Sequence, residues 1–160
     1  MQPIEARLSD LEARVAALEQ ASSPESTSLP GSGAEADHGT VTFKGDVELP
    51  TGTYSYEWIR PTAWITDQPW DDAMDRIAAL AHPVRGAILR HLLAAPASVT
   101  ELVESELVSS TGTAYHHLKE LQAAGWVHKT GWVPKKGGVF GIPPARVIPL
   151  MAIVIAGEDH

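Results

Sequence analysis

The residues with the most chemistry to offer sit together between positions 109 and 119, Ser-Ser-Thr-Gly-Thr-Ala-Tyr-His-His-Leu-Lys. Read on a 3.6-residue period, Ala114, His117, Leu118 and Leu121 share one face. Gly112, His116, Lys119 and Ala123 share the opposite face, with Thr113 and Tyr115 on the flanks. The spacing predicts a helix over about 110–124, closed by Gly125, a residue that suits a helix C-terminus. Its outward N-terminal half is small, hydroxylic and basic. Ser110, Thr111 and Thr113 can each donate or accept a hydrogen bond at a base edge. The free N–H groups of a helix start can hold phosphate. Gly112 lets a backbone come close. That surface suits a helix whose first turns enter the major groove of double-stranded DNA. A second basic feature, Lys135-Lys136, lies in the turn Pro134–Gly138.

The seven histidines raise the question of a metal site or a pH switch. His116 and His117 are consecutive, so on a helix they diverge by about 100° and do not share an ion easily. His117 is expected as a buried, hydrogen-bonded side chain, and His116 as a phosphate or base contact. His82 precedes Pro83 at a helix start, where capping or a surface role suffices. His82 and His91 lack the i, i+4 spacing of a ligand pair. The absence of cysteine excludes disulfides and thiolate metal sites. No nucleophile motif, phosphate-cradling glycine loop or HExxH is present. No enzymatic activity, cofactor or metal is expected.

The net charge of −8 argues at first against a nucleic-acid partner, but the acid is unevenly placed. Residues 1–69 hold 4 basic and 11 acidic side chains, residues 70–146 hold 8 and 7, and the tail adds two more acids. The segment with the reading helix is therefore close to neutral. A weak electrostatic footprint implies salt-sensitive binding through a few well-placed cations. The longest apolar run, Val147 to Ala156, contains Pro149 and is about half the ~20 residues of a membrane span. No basic-then-apolar leader opens the chain. The expectation is a soluble cytoplasmic protein without a membrane partner.

Four segments position these residues. In residues 1–20, Ile4, Leu8, Leu11, Val15 and Leu18 follow a heptad, with Leu8 and Val15 at a and the others at d. Arg7 and Arg14 then fall at g, facing Glu12 and Glu19 at e of a partner. This reads as a coiled-coil helix that self-associates; the alternative is a lone helix packed on its own domain. Residues 21–39 are rich in Ser, Pro and Gly and read as a flexible linker, spanning roughly 24 Å as a coil. Residues 40–69 form a β-hairpin extension, with strands over 40–66. Val41, Phe43, Val47 and Leu49 alternate on one strand and Tyr54, Tyr56 and Trp58 on the next, with Pro50-Thr51-Gly52 turning between them and Pro61 ending the second. Its aromatic row either covers the neighbouring domain or stacks on a planar ligand.

Residues 70–160 carry the main domain. A helix over 71–81 places Met74, Ile77, Ala78 and Ala81 inward. The next opens at Pro83, buries Val84, Ile88, Leu89, Leu92 and Leu93 and stops before Pro96. A third opens at Ser98-Val-Thr-Glu101, a capping-box spacing. After the helix at 110–124 come two short strands, Trp126 to Val133 and Val139 to Ile142, and a final apolar stretch. The fold class is mainly α with a small β component: a winged helix-turn-helix domain preceded by the hairpin and the coiled-coil helix.

Two segments also resemble a known family. RIAALAHPVRGAILRHL (76–92) is similar to the opening of the ArsR-like winged-helix regulators, and SSTGTAYHHLKELQAAGWV (109–127) to their recognition helix and its exit into the wing. The likeness covers about 70–150. It implies a homodimer in which residues 110–119 read DNA, and Lys135 and Lys136 hold the wing on phosphates or in the minor groove. It also implies that the C-terminal segment, Val147, Ile148, Leu150, Met151 and Val154, packs against its twin. The turn Ser105–Ser109 is one residue longer than the family pattern, and the hairpin and heptads lie outside the common core. The family's cysteine or His–carboxylate metal sets have no counterpart here beyond Glu158, Asp159 and His160 at the terminus.

The leading reading is thus a dimeric, sequence-specific DNA-binding transcriptional regulator. Two others stand beside it. One is a winged-helix scaffold for protein partners. The other is a regulator sensing an unknown small-molecule effector through Tyr54, Tyr56, Trp58, Trp64 and Trp70.

Overall fold

The structure, a computed structural model, describes residues 39–159 and, further upstream, Arg14, which is helical and exposed. The chain divides into two compact units, Met1–Ala36 and Asp37–His160. The heptad positions Ile4, Leu8, Leu11, Val15 and Leu18, and the linker up to residue 38, lie outside the described residues. In the second unit the order is β1 (Thr40–Leu49), β2 (Gly52–Pro61), α1 (Thr62–Asp67), α2 (Asp71–Ala78), α3 (Pro83–Ala94), β3 (Ala97–Ser98), α4 (Val99–Glu104), α5 (Thr111–Ala123), β4 (His128–Val133), β5 (Gly137–Gly141) and α6 (Pro144–Ala156).

β1 and β2 form an antiparallel hairpin closed by Pro50-Thr51. The register puts Phe43 opposite Trp58, Gly45 opposite Tyr56 and Val47 opposite Tyr54, so the two alternating sets share one face. That face lies against α6. Gly45 makes the approach possible, since a Cβ there would stand 2.8 Å from Ile148 Cγ2. The Thr51 hydroxyl at the tip donates to the Leu93 carbonyl of α3 at 3.3 Å. At the other end, the Thr62 N–H and hydroxyl both donate to the Gly39 carbonyl, at 2.8 and 2.9 Å. The hairpin is therefore fastened to the domain at its tip and along its face, and its open end is closed on itself.

The core lies beneath. Ile88, Leu89 and Leu92 of α3, Val99 and Leu102 of α4, Ala114, Leu118 and Leu121 of α5, with Trp126, Phe140 and Leu150, form one buried cluster. α4 starts with the capping box that its spacing predicts: Ser98 Oγ accepts from the Glu101 N–H, and Glu101 Oε2 accepts from the Ser98 N–H at 2.8 Å. Helices α4 and α5 with the β4–β5 hairpin make a winged helix-turn-helix, its sheet ordered β3-β5-β4.

The α4 and α5 helices end in the same way. The Leu107 N–H reaches back to the Leu102 carbonyl and the Glu106 N–H to Val103, while the Trp126 N–H reaches Leu121 and the Gly125 N–H reaches Gln122. Both are Schellman closures, which require a left-handed residue. Gly125 supplies it at φ 75°, whereas at the first closure Glu106 sits at φ 57° despite its side chain.

Several sequence expectations are corrected. The strands end at Pro61, and 62–67 is helix α1, because the period-two alternation stops there and Thr66 Oγ1 folds back onto the Thr62 and Ala63 carbonyls. The helix at 71–81 is α2, which ends at Ala78, and its Met74 and Ile77 are 47% and 39% exposed rather than inward. The first wing strand starts at His128, since Trp126 and Val127 are core residues. The second starts at Gly137, and two-residue β3, paired with it at Ala97↔Phe140, was too short to read in advance. The terminal apolar stretch is helix α6, which tolerates Pro149 in its interior.

Two substitutions test this packing. Gly45→Val should lower stability by about 1–3 kcal/mol, the usual cost of overpacking, and lift the hairpin from α6. Glu106→Gly should raise stability by about 0.5–1 kcal/mol by relieving the left-handed side chain. Thermal unfolding followed by circular dichroism reads both.

Candidate nucleic-acid interface

Helix α5 divides between interior and solvent as its sequence period requires. Ala114, His117, Leu118 and Leu121 are buried, and Thr111, Gly112, Tyr115, His116 and Lys119 are exposed. Ser110 is the N-cap, its Oγ accepting from the Thr113 N–H at 3.2 Å and lying 3.0 Å from the Thr113 hydroxyl. Ser109 Oγ is 3.5 Å from that hydroxyl. Thr113 is accordingly half-buried in a hydroxyl cluster, and Thr111 is left to face outward. At Gly112 a Cβ would meet only Ser110 Oγ at 3.8 Å. Nothing inside the protomer demands a glycine there, although one in a helix costs about 1 kcal/mol relative to alanine.

The wing stands beside this helix. Gly137, at φ 86°, comes so close to Tyr115 that a Cβ would lie 3.0 Å from the Tyr115 hydroxyl. Tyr115 therefore bridges reading helix and wing. Lys135 occupies the turn at φ 65°, exposed. Lys136 differs: its Nζ is 3.2 Å from Glu101 Oε1, and its carbonyl accepts from the Thr100 hydroxyl at 3.0 Å and from the Thr100 N–H. Hydrogen bonds from the Ser98 backbone and hydroxyl, with Lys136 beside them, hold the Glu101 carboxyl down to about 2. The capping box thus fastens the wing to α4 and engages one of the two wing lysines. Sequence reading missed Trp132, 62% exposed on β4, with Lys129 Nζ 4.9 Å over its ring. Its position in a wing strand was the available signal.

Beside α5 lies a histidine cluster. The His82 ring is 4.7 Å from that of His117, and His116 is 5.3 Å from it on the other side. His82 caps α3, its Nδ1 accepting from the Val84 N–H at 3.2 Å. His117 was expected to be hydrogen-bonded, but its Nδ1 and the nearby Arg85 Nε are buried without a partner among the described residues. Burial, with His82, His116 and Arg85 close by, pushes the His117 imidazole below its ordinary 6.5.

The remaining sequence-predicted residues divide. In α6, Val147, Ile148 and Leu150 are buried within the protomer. Met151 is half-buried and Val154 is 62% exposed. Met151 and Val154 join Ile155, Leu93, Leu89 and Gly86 along an apolar groove between α3 and α6. The aromatics proposed as a ligand pocket do not line one recess, although Tyr56 and Trp58 meet edge to face at 6.5 Å and Arg60 lies over Trp58 at 4.3 Å. Tyr54 lines a cleft beside Leu92 and Pro96. Trp64 lies under Arg60 at 5.0 Å, and Trp70 Nε1 donates to the Ile65 carbonyl. Trp58 alone of that set lines a larger recess, with Phe43 and Trp126. No group of three or more metal-ligating side chains occurs among the described residues, and no helix among them is long and apolar enough to cross a membrane.

Comparison with known proteins supports the helix-turn-helix through a family model. Residues 80–130 match the sequence model of a helix-turn-helix domain family. No curated protein matches the chain. Among solved structures, the crystal structure of Rv0081 from M. tuberculosis is similar at 24% identity, with 56% of this chain and 92% of that one covered and a TM-score of 0.46. The solution structure of the homodimeric winged helix-turn-helix DNA-binding domain (fragment 1–100) of Mb0332 from Mycobacterium bovis, "a possible ArsR-family transcriptional regulator", is similar at 20% identity. It covers 63% of this chain and 97% of its own, with a TM-score of 0.44.

The histidine cluster makes stability pH-dependent. Unfolded His117 takes up a proton near 6.5 while the folded side chain resists it, so stability falls as pH drops below about 6.5. Glu101 acts in a separate window, below 4.5. Melting temperature should therefore decline between pH 7.5 and 5, and His117→Leu should flatten that decline.

Proposed function

We propose that this chain is a non-enzymatic, dimeric transcriptional regulator that reads the major groove of its own operator with α5 and lays the β4–β5 wing along the backbone or minor groove. The observation that carries the reading is the outward face of α5: Thr111, Gly112, His116 and Lys119 exposed in its first turns, next to a lysine-bearing wing. Nothing inside the protomer calls for an exposed glycine in that turn, which costs about 1 kcal/mol relative to alanine. Hydroxyls, amides and imidazole suit base edges, and Lys119 and Lys135 suit phosphates.

Self-association supplies the second half of the reading. One near-neutral domain with few free cations binds weakly, and two recognition helices about 34 Å apart double the contacts. The groove of Gly86, Leu93, Met151, Val154 and Ile155 is the surface we assign to the second copy. Gly86 lies within α3, and a Cβ there would meet nothing within 4 Å, which leaves room for a neighbouring backbone.

The test is fluorescence anisotropy on the chain's own upstream DNA against a scrambled duplex. Tighter binding to the former is expected; equal binding refutes sequence specificity. Lys119→Glu with Lys135→Glu should abolish binding and leave the dimer intact by light scattering. Lys136 is kept out of that variant because reversing it would set a carboxylate against Glu101. Lys119→Gln alone should reduce the slope of log K against log salt by about 1. Val154→Glu should yield monomers that bind at least about tenfold more weakly, the loss expected when a site is held by one recognition helix instead of two.

A further inference from the structure

The recess between the hairpin, α2 and α6 has a volume of about 390 Å³, within the range of small-molecule sites. Its walls are the rings of Phe43, Trp58 and Trp126 and the aliphatic side chains of Ile77 and Ile153. Two arginines, Arg76 and Arg146, are the charged residues of this otherwise apolar lining. Among the described residues the ion pairs are Lys44–Glu57 and Lys136–Glu101, so neither arginine is matched by a carboxylate. Arg146 stacks on Trp126, 5.1 Å from its ring. Arg76 also borders a neighbouring cleft that contains Asp72 and Asp75, neither within ion-pair distance of it. The indole N–H of Trp126 is already used, donating to the Arg76 carbonyl at 2.7 Å, which leaves the ring as an apolar wall.

We propose that this recess binds a lipophilic monocarboxylate, its ring or chain against Phe43, Trp58 and Trp126 and its carboxylate on Arg146 and Arg76. Apolar walls call for a lipophilic body. The guanidiniums select an anion, and a planar fork of N–H donors favours a carboxylate held by two bonds. A cation is repelled, and a polyanion would find too few polar partners. The site is distinct from the DNA-reading surface. Trp126 follows the C-terminus of α5, so the recess lies roughly 20 Å along that helix from Ser110, at 1.5 Å per residue. The inference therefore stands whether or not the chain binds DNA.

Tryptophan fluorescence of the full chain tests it, with 2-naphthoate and decanoate as acids and 2-naphthamide as the neutral control. Saturable quenching by an acid is expected, with naphthoate about tenfold tighter than the amide, a ratio that one charge-assisted hydrogen bond supplies. Arg146→Gln with Arg76→Gln should erase that preference and leave amide binding unchanged. Ala73→Phe, on the exposed side of α2, should block acid and amide alike while the circular dichroism spectrum stays native. The proposal fails if neither acid saturates, if acid and amide bind equally to the wild type, or if Ala73→Phe leaves binding intact. A change of mass in light scattering on adding naphthoate would make the recess an interface between copies and overturn it as well.

Discussion

Everything at the candidate interface depends on one constraint: α5 can bury only a single stripe, and that stripe sets the direction of every other side chain on the helix. Leu118 and Leu121 are essentially inaccessible, as is Ala114. Burying the two leucines contributes about 1.5–3 kcal/mol each, whereas the unpartnered Nδ1 of His117 costs about 1–3. The apolar term wins, and the register holds with the polar defect inside it. Once that stripe is fixed, the 3.6-residue period leaves Gly112, His116 and Lys119 no direction but outward. The Ser110 cap then fixes where the first turn begins.

The electrostatics follow from the same economy of parts. A domain this close to neutral has few cations to commit, and one of them, Lys136, is held by Glu101. That pair is worth little as an exposed ion pair taken alone. Its effect is geometric, because Glu101 also closes the capping box of α4 and the Lys136 carbonyl takes both Thr100 donors. The wing, its turn between β4 and β5, and the first helix of the helix-turn-helix are therefore tied together. Tyr115 against Gly137 adds the reading helix to them. Spending Lys136 on rigidity leaves Lys119 and Lys135 as the freer charges, with Lys129 drawn to the Trp132 ring.

Where sequence and structure agree, a local rule was enough. The α5 faces, the Ser98 capping box, Pro83 at the start of α3, Gly125 at the end of α5 and the alternating hairpin all depend on neighbours within about one turn. The misreadings are the features set from a distance. β3 exists only because β5 lies beside Ala97 and Ser98. Met74 and Ile77 have the right spacing for an inward face, yet Met74 stays 47% exposed and Ile77 only borders the recess beside the hairpin. The Glu101–Lys136 pair joins residues 35 apart, which no periodicity reveals. The pocket aromatics were chosen by type along the hairpin, whereas the recess takes Trp58 and Phe43 from it and Trp126 from the far end of α5. For His117, period gave burial correctly but could not supply a hydrogen-bond partner.

Two apolar surfaces of the described unit differ in their chemistry, which assigns them differently. The α3–α6 groove is lined almost wholly by aliphatic side chains, with Arg90 as its one charged residue, and it includes a helix glycine with open space above it. Such a surface offers shape and little polarity, which is what a packed helix of a second copy needs. The recess under the hairpin is lined by three aromatic residues and by two arginines without carboxylate partners. A partner helix there would have to bring its own acids to both arginines at once, while a small carboxylate meets the same requirement with two oxygens. The hairpin creates this difference. It is the element beyond the common winged-helix core, and it turns the open side of α6 from a flat apolar face into a bounded one.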